Sequence, residues 1–592
     1  MKRNIFTIAV ASAIVFVALP WVSTPTVFAQ QPQGSYNESV VVKGQFTPTI
    51  EEHTKLNFPA AITDTLTRME HTFQYDIHPT RIRALYDPSR IKAARIIGEP
   101  VTRLYNNYFR IGMGNYLTPL ADLYWSSTRD RLKTYGVRLN HRSSWWTLPD
   151  HGANHFGLTD VTLFGKYIVK DILQLSADLG YEHDHNLYYG FTDSLLALRM
   201  GGLTRDDISL SDYRSKWNLA SLNLGVRNMQ LDANRFGYSA NLRLNDLWAS
   251  WYQNEFNLNL SGDMHYGFNI KDKYKGVAYL RAEWDGYYHT FSPDADDVSL
   301  PLGYTALPPD SSHGARNIVK INPYADFMLN GLQIHAGFTA GWDGFTANGD
   351  TVIFRLFPDL VVSKSLLHDA VVVSLGATGG IDANSWNTLR LINPYIAPDA
   401  EQRATRHYDA VAHLRWNLSK KLELNLEASY ALLRDDVTFS LHPLYCLDNI
   451  YTPHYFDNNR ITLGGDITFV NDEMITLRAG GHYYHYDLIG GETQLLYRPD
   501  WDALISAKLN YHNKFLFFLE GRLLGAMQGN SDNVLPMRYG VAAEFEYRHN
   551  RALSFFLRAD NLAFQRYLYW ANYPSQRGLF ILGLTYTIPT QK

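Results

Sequence analysis

At 592 residues with a formal net charge of −4, the chain lacks the basic excess and the basic patch of a nucleic-acid binder. A single cysteine, Cys446, excludes an internal disulfide. No run of about 18 apolar residues follows residue 30, which excludes a helical membrane protein, yet 39 Tyr and 13 Trp demand an explanation.

Residues 1–29 read as an export signal. Lys2 and Arg3 give a positive start, Ile5 to Leu19 an apolar core before Pro20, and Val27-Phe28-Ala29 a small-residue cleavage site before Gln30. Residues 30–102 form a second unit with Pro48, Pro59, Pro79, Pro88 and Pro100 and no convincing alternating strands. Within it, Ile91 to Pro100 reads as a short basic helix or a tether.

From Arg103 onwards, short segments alternate apolar and polar residues. Leu173, Leu175, Ala177, Leu179 and Tyr181 oppose Gln174, Ser176, Asp178, Gly180 and Glu182. Phe256, Leu258, Leu260, Met264 and Tyr266 oppose Asn257, Asn259, Ser261, Asp263 and His265, and Leu422 to Tyr430 repeats the pattern. Successive side chains of a strand face opposite ways, so each segment has one oily and one wet face. The expected fold is all-β: a transmembrane antiparallel β-barrel over residues 103–592, behind a short N-terminal periplasmic or lumenal segment. Aromatic girdles at the membrane interfaces account for the Tyr and Trp content. The charges Asp178, Asp263, Glu423, Glu427 and Arg478 fall on the polar face, as they should where a lipid-facing Lys or Arg costs about 2–4 kcal/mol. Val352 to Val362 is nearly all apolar, which leaves its facing open.

The strands number about 22, and their connections sort by length. Long ones fall at 185–212, 291–314, 381–404, 436–456, 488–498 and 526–536, all on odd connections and so outside the cell. Even connections are short, as near Val169-Asp171, Asn330-Gly331, Ser419-Lys421 and His512-Lys514.

The stretch Asn561-Leu562, then Tyr567, then Arg577 and a closing strand to Tyr586 resembles the end of TonB-dependent receptors. That resemblance implies a 22-stranded barrel, in line with the count above, although Pro589 to Lys592 follows the strand where a terminal aromatic is usual. Ser39 to Gly44, with Val40, Val41 and Val42, resembles the segment by which such receptors engage TonB; an ordinary short strand is the alternative. A plug domain in that family needs well over a hundred residues, whereas about 70 lie between the cleavage site and the first strand here. The chain therefore looks like a plug-deficient relative of the Bacteroidota type.

Candidate chemistry is sparse. His482 and His485 stand three apart on a strand and face opposite sides, so they cannot share an ion. His183 and His185 share a face beside Tyr188 and Tyr189, where a polar rim is favoured over a metal pair. Asp294, Asp296 and Asp297 read as a solvated acidic loop sooner than a Ca²⁺ site. Neither a nucleophile elbow nor a zinc or phosphate-loop motif is present, so no catalytic, cofactor or metal site is expected. Tyr188, Tyr189 and Trp570 suit either stacking on sugars and flat ligands or the girdles. The expected role is an outer-membrane barrel of a Gram-negative cell, in contact with outer-membrane lipids, that moves or captures an unknown solute and engages TonB if the Val40 to Val42 segment is real. The alternative is a non-transporting scaffold carrying outer-membrane lipoproteins on its long loops.

Overall fold

The computed structural model describes residues 107–588 except 128–129, 150, 230–235, 271–273, 293–301, 304–311, 347–349, 473, 492–493 and 531–532. Val40, Val41, Val42 and the Asp294, Asp296 and Asp297 loop lie outside the described residues.

Twenty-two antiparallel strands, from Asn107–Gly114 to Leu579–Tyr586, each pair with the next, and the last returns to the first. At the seam Phe109 stands opposite Tyr586 and Gly114 opposite Ile581. The Asn107 side chain carries the ladder past its last rung, donating to the Ile588 carbonyl at 3.0 Å and accepting from its N–H at 2.5 Å. Closure leaves no sheet edge, which is what hydrocarbon demands of a β-structure.

The two faces separate as the alternation predicts. Along Leu173–Leu187, Leu175, Leu179 and Tyr181 are exposed outward, while Asp178 on the inner face accepts from Asn223 at 3.4 Å. Along Gln253–Ile270, Leu260 and Met264 face out, and inner Asp263 meets Arg281 at 2.7 Å. Arg478 meets Asp466 at 3.3 Å in the same way. These lumenal charges find lumenal partners, and lipid is left an apolar wall. Replacing Leu179 by Arg is expected to cost about 2–4 kcal/mol in denaturant unfolding from vesicles, since the site lies near mid-strand on the lipid face; a cost near zero would place it elsewhere.

Val352 to Val362 is resolved by what lies inside. Val352, Phe354, Leu356 and Leu360 face out, while inward Phe357 packs with Ile318, Ile381 and Ala404. The bore carries an apolar cluster at Phe357, between Arg355 and Asp359 on the same inner face, and Asp359 meets His335 at 3.1 Å.

Every long connection emerges at one end: 188–213, 292–311, 384–403, 442–450, 490–500, 525–537 and 561–578. The last was not among the long loops expected from the sequence. The connection expected at 436–456 shrinks to 442–450, because Leu422–Leu441 and Tyr451–Asn471 run on as paired strand. At the other end turns are tight, as at Asn330 and Gly331, which take φ of 50° and 77°. Exposed aromatics ring both ends of the wall: Tyr135, Tyr167 and Tyr511 on the short-turn side, Trp145, Trp248 and Trp501 on the other.

Candidate functional site

The long loops build a lid over the barrel mouth. Loop 384–403 contains a short helix, Trp386–Ile392, whose Ser385 cap accepts from the Thr388 N–H. Its first turn is tethered to the wall by Glu255, which accepts from the N–H of Trp386 at 2.7 Å and of Asn387 at 3.3 Å. A carboxylate there meets unpaired amides and the positive end of the helix. At the last turn Arg390, its side chain 2% exposed, pairs with Glu182 at 3.0 Å and Asp184 at 3.5 Å on the inner face of Leu173–Leu187. Two wall strands therefore hold one helix across the opening.

Four loops meet above it. Tyr395 stacks on Tyr573 with ring centroids 3.6 Å apart, and Tyr189 meets Tyr573 edge-on at 4.9 Å. Three phenols also donate their hydroxyl to another loop's backbone: Tyr188 to Ile396 at 2.7 Å, Tyr189 to Pro574 at 3.0 Å and Tyr573 to Asn449 at 2.5 Å. Asn449 in turn donates to the Tyr188 carbonyl at 2.9 Å. A buried hydroxyl without a partner is destabilising, so these bonds fix which loop lies against which. Leu196, Trp386, Leu389, Leu447, Ile450 and Trp570 complete one continuous apolar core.

This corrects one expectation. Tyr188, Tyr189 and Trp570 are neither girdle residues nor open stacking surfaces; they are buried inside the lid, Tyr188 and Tyr189 at 2% exposure or less. Burial raises the phenols of Tyr188, Tyr189, Tyr395 and Tyr573 above the ordinary tyrosine value near 10. A folded-state value above the unfolded one means a contribution fully present below about pH 10 and lost as pH rises beyond it. Proteolysis of the lid loops is thus expected to accelerate between about pH 8 and about pH 11 while the barrel stays intact, and equal rates would contradict a phenol-sealed lid.

Beneath the lid a cavity of about 520 Å³ opens against the wall formed by the last strands, within the range of small-molecule sites. Arg142, Glu520, Arg522, Arg538 and Asp560 project into it, with Tyr395, Tyr567, Tyr569 and Trp570 on the lid side. His482 donates or accepts at 3.1 Å with Asp502, whose other oxygen accepts from the Tyr484 hydroxyl at 2.6 Å.

Of the positions singled out at the chain end, Asn561, Tyr567 and Arg577 line this chamber. Asn561 takes φ of 53° and donates to the carbonyls of Gln565 and Gln576, both at 2.9 Å, which pins the base of the last loop. Leu562 is held by its backbone N–H to Val541 at 2.8 Å, and Tyr586 lies at the opposite end of the barrel between Phe109 and Leu553. His482 lines the chamber while His485 takes the opposite side of the same strand. His183 and His185 sit on one face with ring centroids 5.8 Å apart, and His183 bonds Asn218 at 2.8 Å. Cys446 lies in loop 442–450 with its sulfur 3.6 Å from that of Met200. Sequence reading missed Arg538, although the alternation of Arg538–Arg548 places 538, 540 and 542 on one face.

No protein-family model matches the sequence, and no curated protein matches it. Solved structures do match. The ferric-catecholate import receptor Fiu of E. coli K12, in a closed form, aligns with a TM-score of 0.61 at 10% identity over 82% of each chain. The ferripyoverdine receptor of the Pseudomonas aeruginosa outer membrane aligns at 0.60 and 11% identity over 82% of this chain and 72% of that one. The siderophore receptor PirA from Acinetobacter baumannii aligns at 0.59 and 10% identity, over 83% and 81%. At such identities the likeness is one of fold: this chain is a closed 22-strand antiparallel β-barrel, the fold it shares with these receptors.

Proposed function

We propose that the protein is an outer-membrane receptor or transport barrel that takes up a solute through its polar lumen, holding it in the chamber under the lid. The observation that carries this reading is the chamber itself: a ligand-sized space lined by converging charged and aromatic side chains, placed between the outside and the bore. Export by residues 1–29, a 30–102 segment too short for a full plug, and energised release through Val40 to Val42 belong to the same proposal. Liposome-swelling assays test passage. Slow entry of small solutes through the wild type and faster entry once the lid is loosened support it; identical impermeability in both would end it. Deleting residues 38–44 abolishes uptake by cells if TonB drives it, and unchanged uptake removes that part alone.

A second reading rests on the lid's packing. Loops that share one core present a fixed outer surface, as a scaffold for surface lipoproteins requires. Stoichiometric partners recovered with the barrel from membranes favour this role, and recovery of the barrel alone counts against it.

A further inference from the structure

Charge in the chamber is unevenly satisfied. Its carboxylates are all engaged: Asp502 by His482 and Tyr484, Glu520 by Arg522, and Asp560 by Arg558 and Arg142. Arg538 and Arg577 also line the space and form no ion pair among the described residues. Arg538 is 7% exposed; its Nη2 donates to the Tyr569 carbonyl at 2.8 Å, and its Nε is buried without a hydrogen-bond partner. A desolvated guanidinium with no counter-charge is an unfavourable state, and an oxyanion relieves it by accepting parallel N–H bonds. A cationic solute would find every carboxylate already taken.

There is room for such an anion. Gly540 follows Arg538 on the same inner face, and a Cβ built there meets nothing within 4 Å. The lid side of the space carries the part-buried rings of Tyr567 and Tyr569. The geometry points to an anion-binding subsite at Arg538 that takes a carboxylate or phosphate carried on a ring, the ring lying against the lid aromatics. This rests on the reading of the chamber as the solute site and names its substrate class.

Calorimetric titration of the full chain in detergent tests it with phenyl phosphate and benzoate as anionic probes and benzyl alcohol as the neutral one. Both anions, or one of them, are expected to bind at least about tenfold more tightly than the alcohol. Which of the two binds separates a phosphate from a carboxylate preference. Arg538→Gln should weaken anion binding by at least about tenfold and leave the alcohol unchanged. Gly540→Leu fills the space without a backbone conflict and should remove binding of both anions, so it decides the matter if Arg538→Gln fails to fold. Equal affinity for the neutral probe, anion binding untouched by either folded variant, or no anion binding at millimolar concentration would overturn the assignment. Anion binding without passage of any solute through reconstituted protein sinks the transport reading and leaves this one standing. Passage of neutral solutes without anion binding does the reverse.

Discussion

Tyr573→Ala is expected to open the lid while sparing the barrel. The ring is fully buried, stacked on Tyr395 and met edge-on by Tyr189, and its hydroxyl satisfies the Asn449 carbonyl. Truncating a buried aromatic costs about 3–5 kcal/mol, because the cavity left behind collapses only in part. That energy is drawn from the contacts between loops, since Tyr573 belongs to loop 561–578 and its neighbours to three others. At about 4 kcal/mol the ratio of closed to open lid falls roughly a thousandfold. Protease should then cut the loops, and single-channel conductance should rise. The unheated protein should still migrate as a folded barrel, because every strand pairing is untouched. A variant with wild-type conductance and intact loops would show that the aromatic core does not hold the mouth shut.

Arg390→Ala is expected to be about as severe, for an electrostatic reason. The guanidinium is the cation between Glu182 and Asp184, which share the inner face of one strand. Removing one partner of a buried ion pair costs about 3–5 kcal/mol, chiefly through the charge left behind. Amide hydrogen exchange across Trp386–Ile392 should speed up, with strand amides unaffected. Arg390→Met combined with Glu182→Gln separates the causes: it keeps the volume and removes one stranded charge, so much of the protection should return. If the double variant exchanges as fast as Arg390→Ala, packing and not charge anchors the helix.

The sequence made the barrel legible because its rule is local. Lipid outside and water inside impose a two-residue period on every strand, and the position of the long loops corrects errors in the count. Residue facing followed from the same period, which is why His482 and His485 divide between the two sides. The lid was illegible for the opposite reason. Tyr188 bonds residue 396, Tyr189 bonds residue 574 and Arg390 pairs with residue 182, all contacts that no local pattern encodes. Aromatics in a loop have the same composition whether they ring a membrane or fill a core. Tertiary packing alone tells them apart. Arg538 falls between these cases: its facing was available from the period, but the lack of a counter-charge becomes visible only when the neighbouring strands and loops are in place.

The seam between Asn107 and Ile588 has a bearing on how the molecule comes into being. Its two halves are separated by 481 positions, so the ring cannot shut until synthesis has finished and both termini of the cylinder have met. Contacts of such long range slow folding and prolong the life of open, adhesive intermediates. Truncation by a single terminal strand should therefore leave two unpaired flanks and material fit for degradation, not a smaller pore.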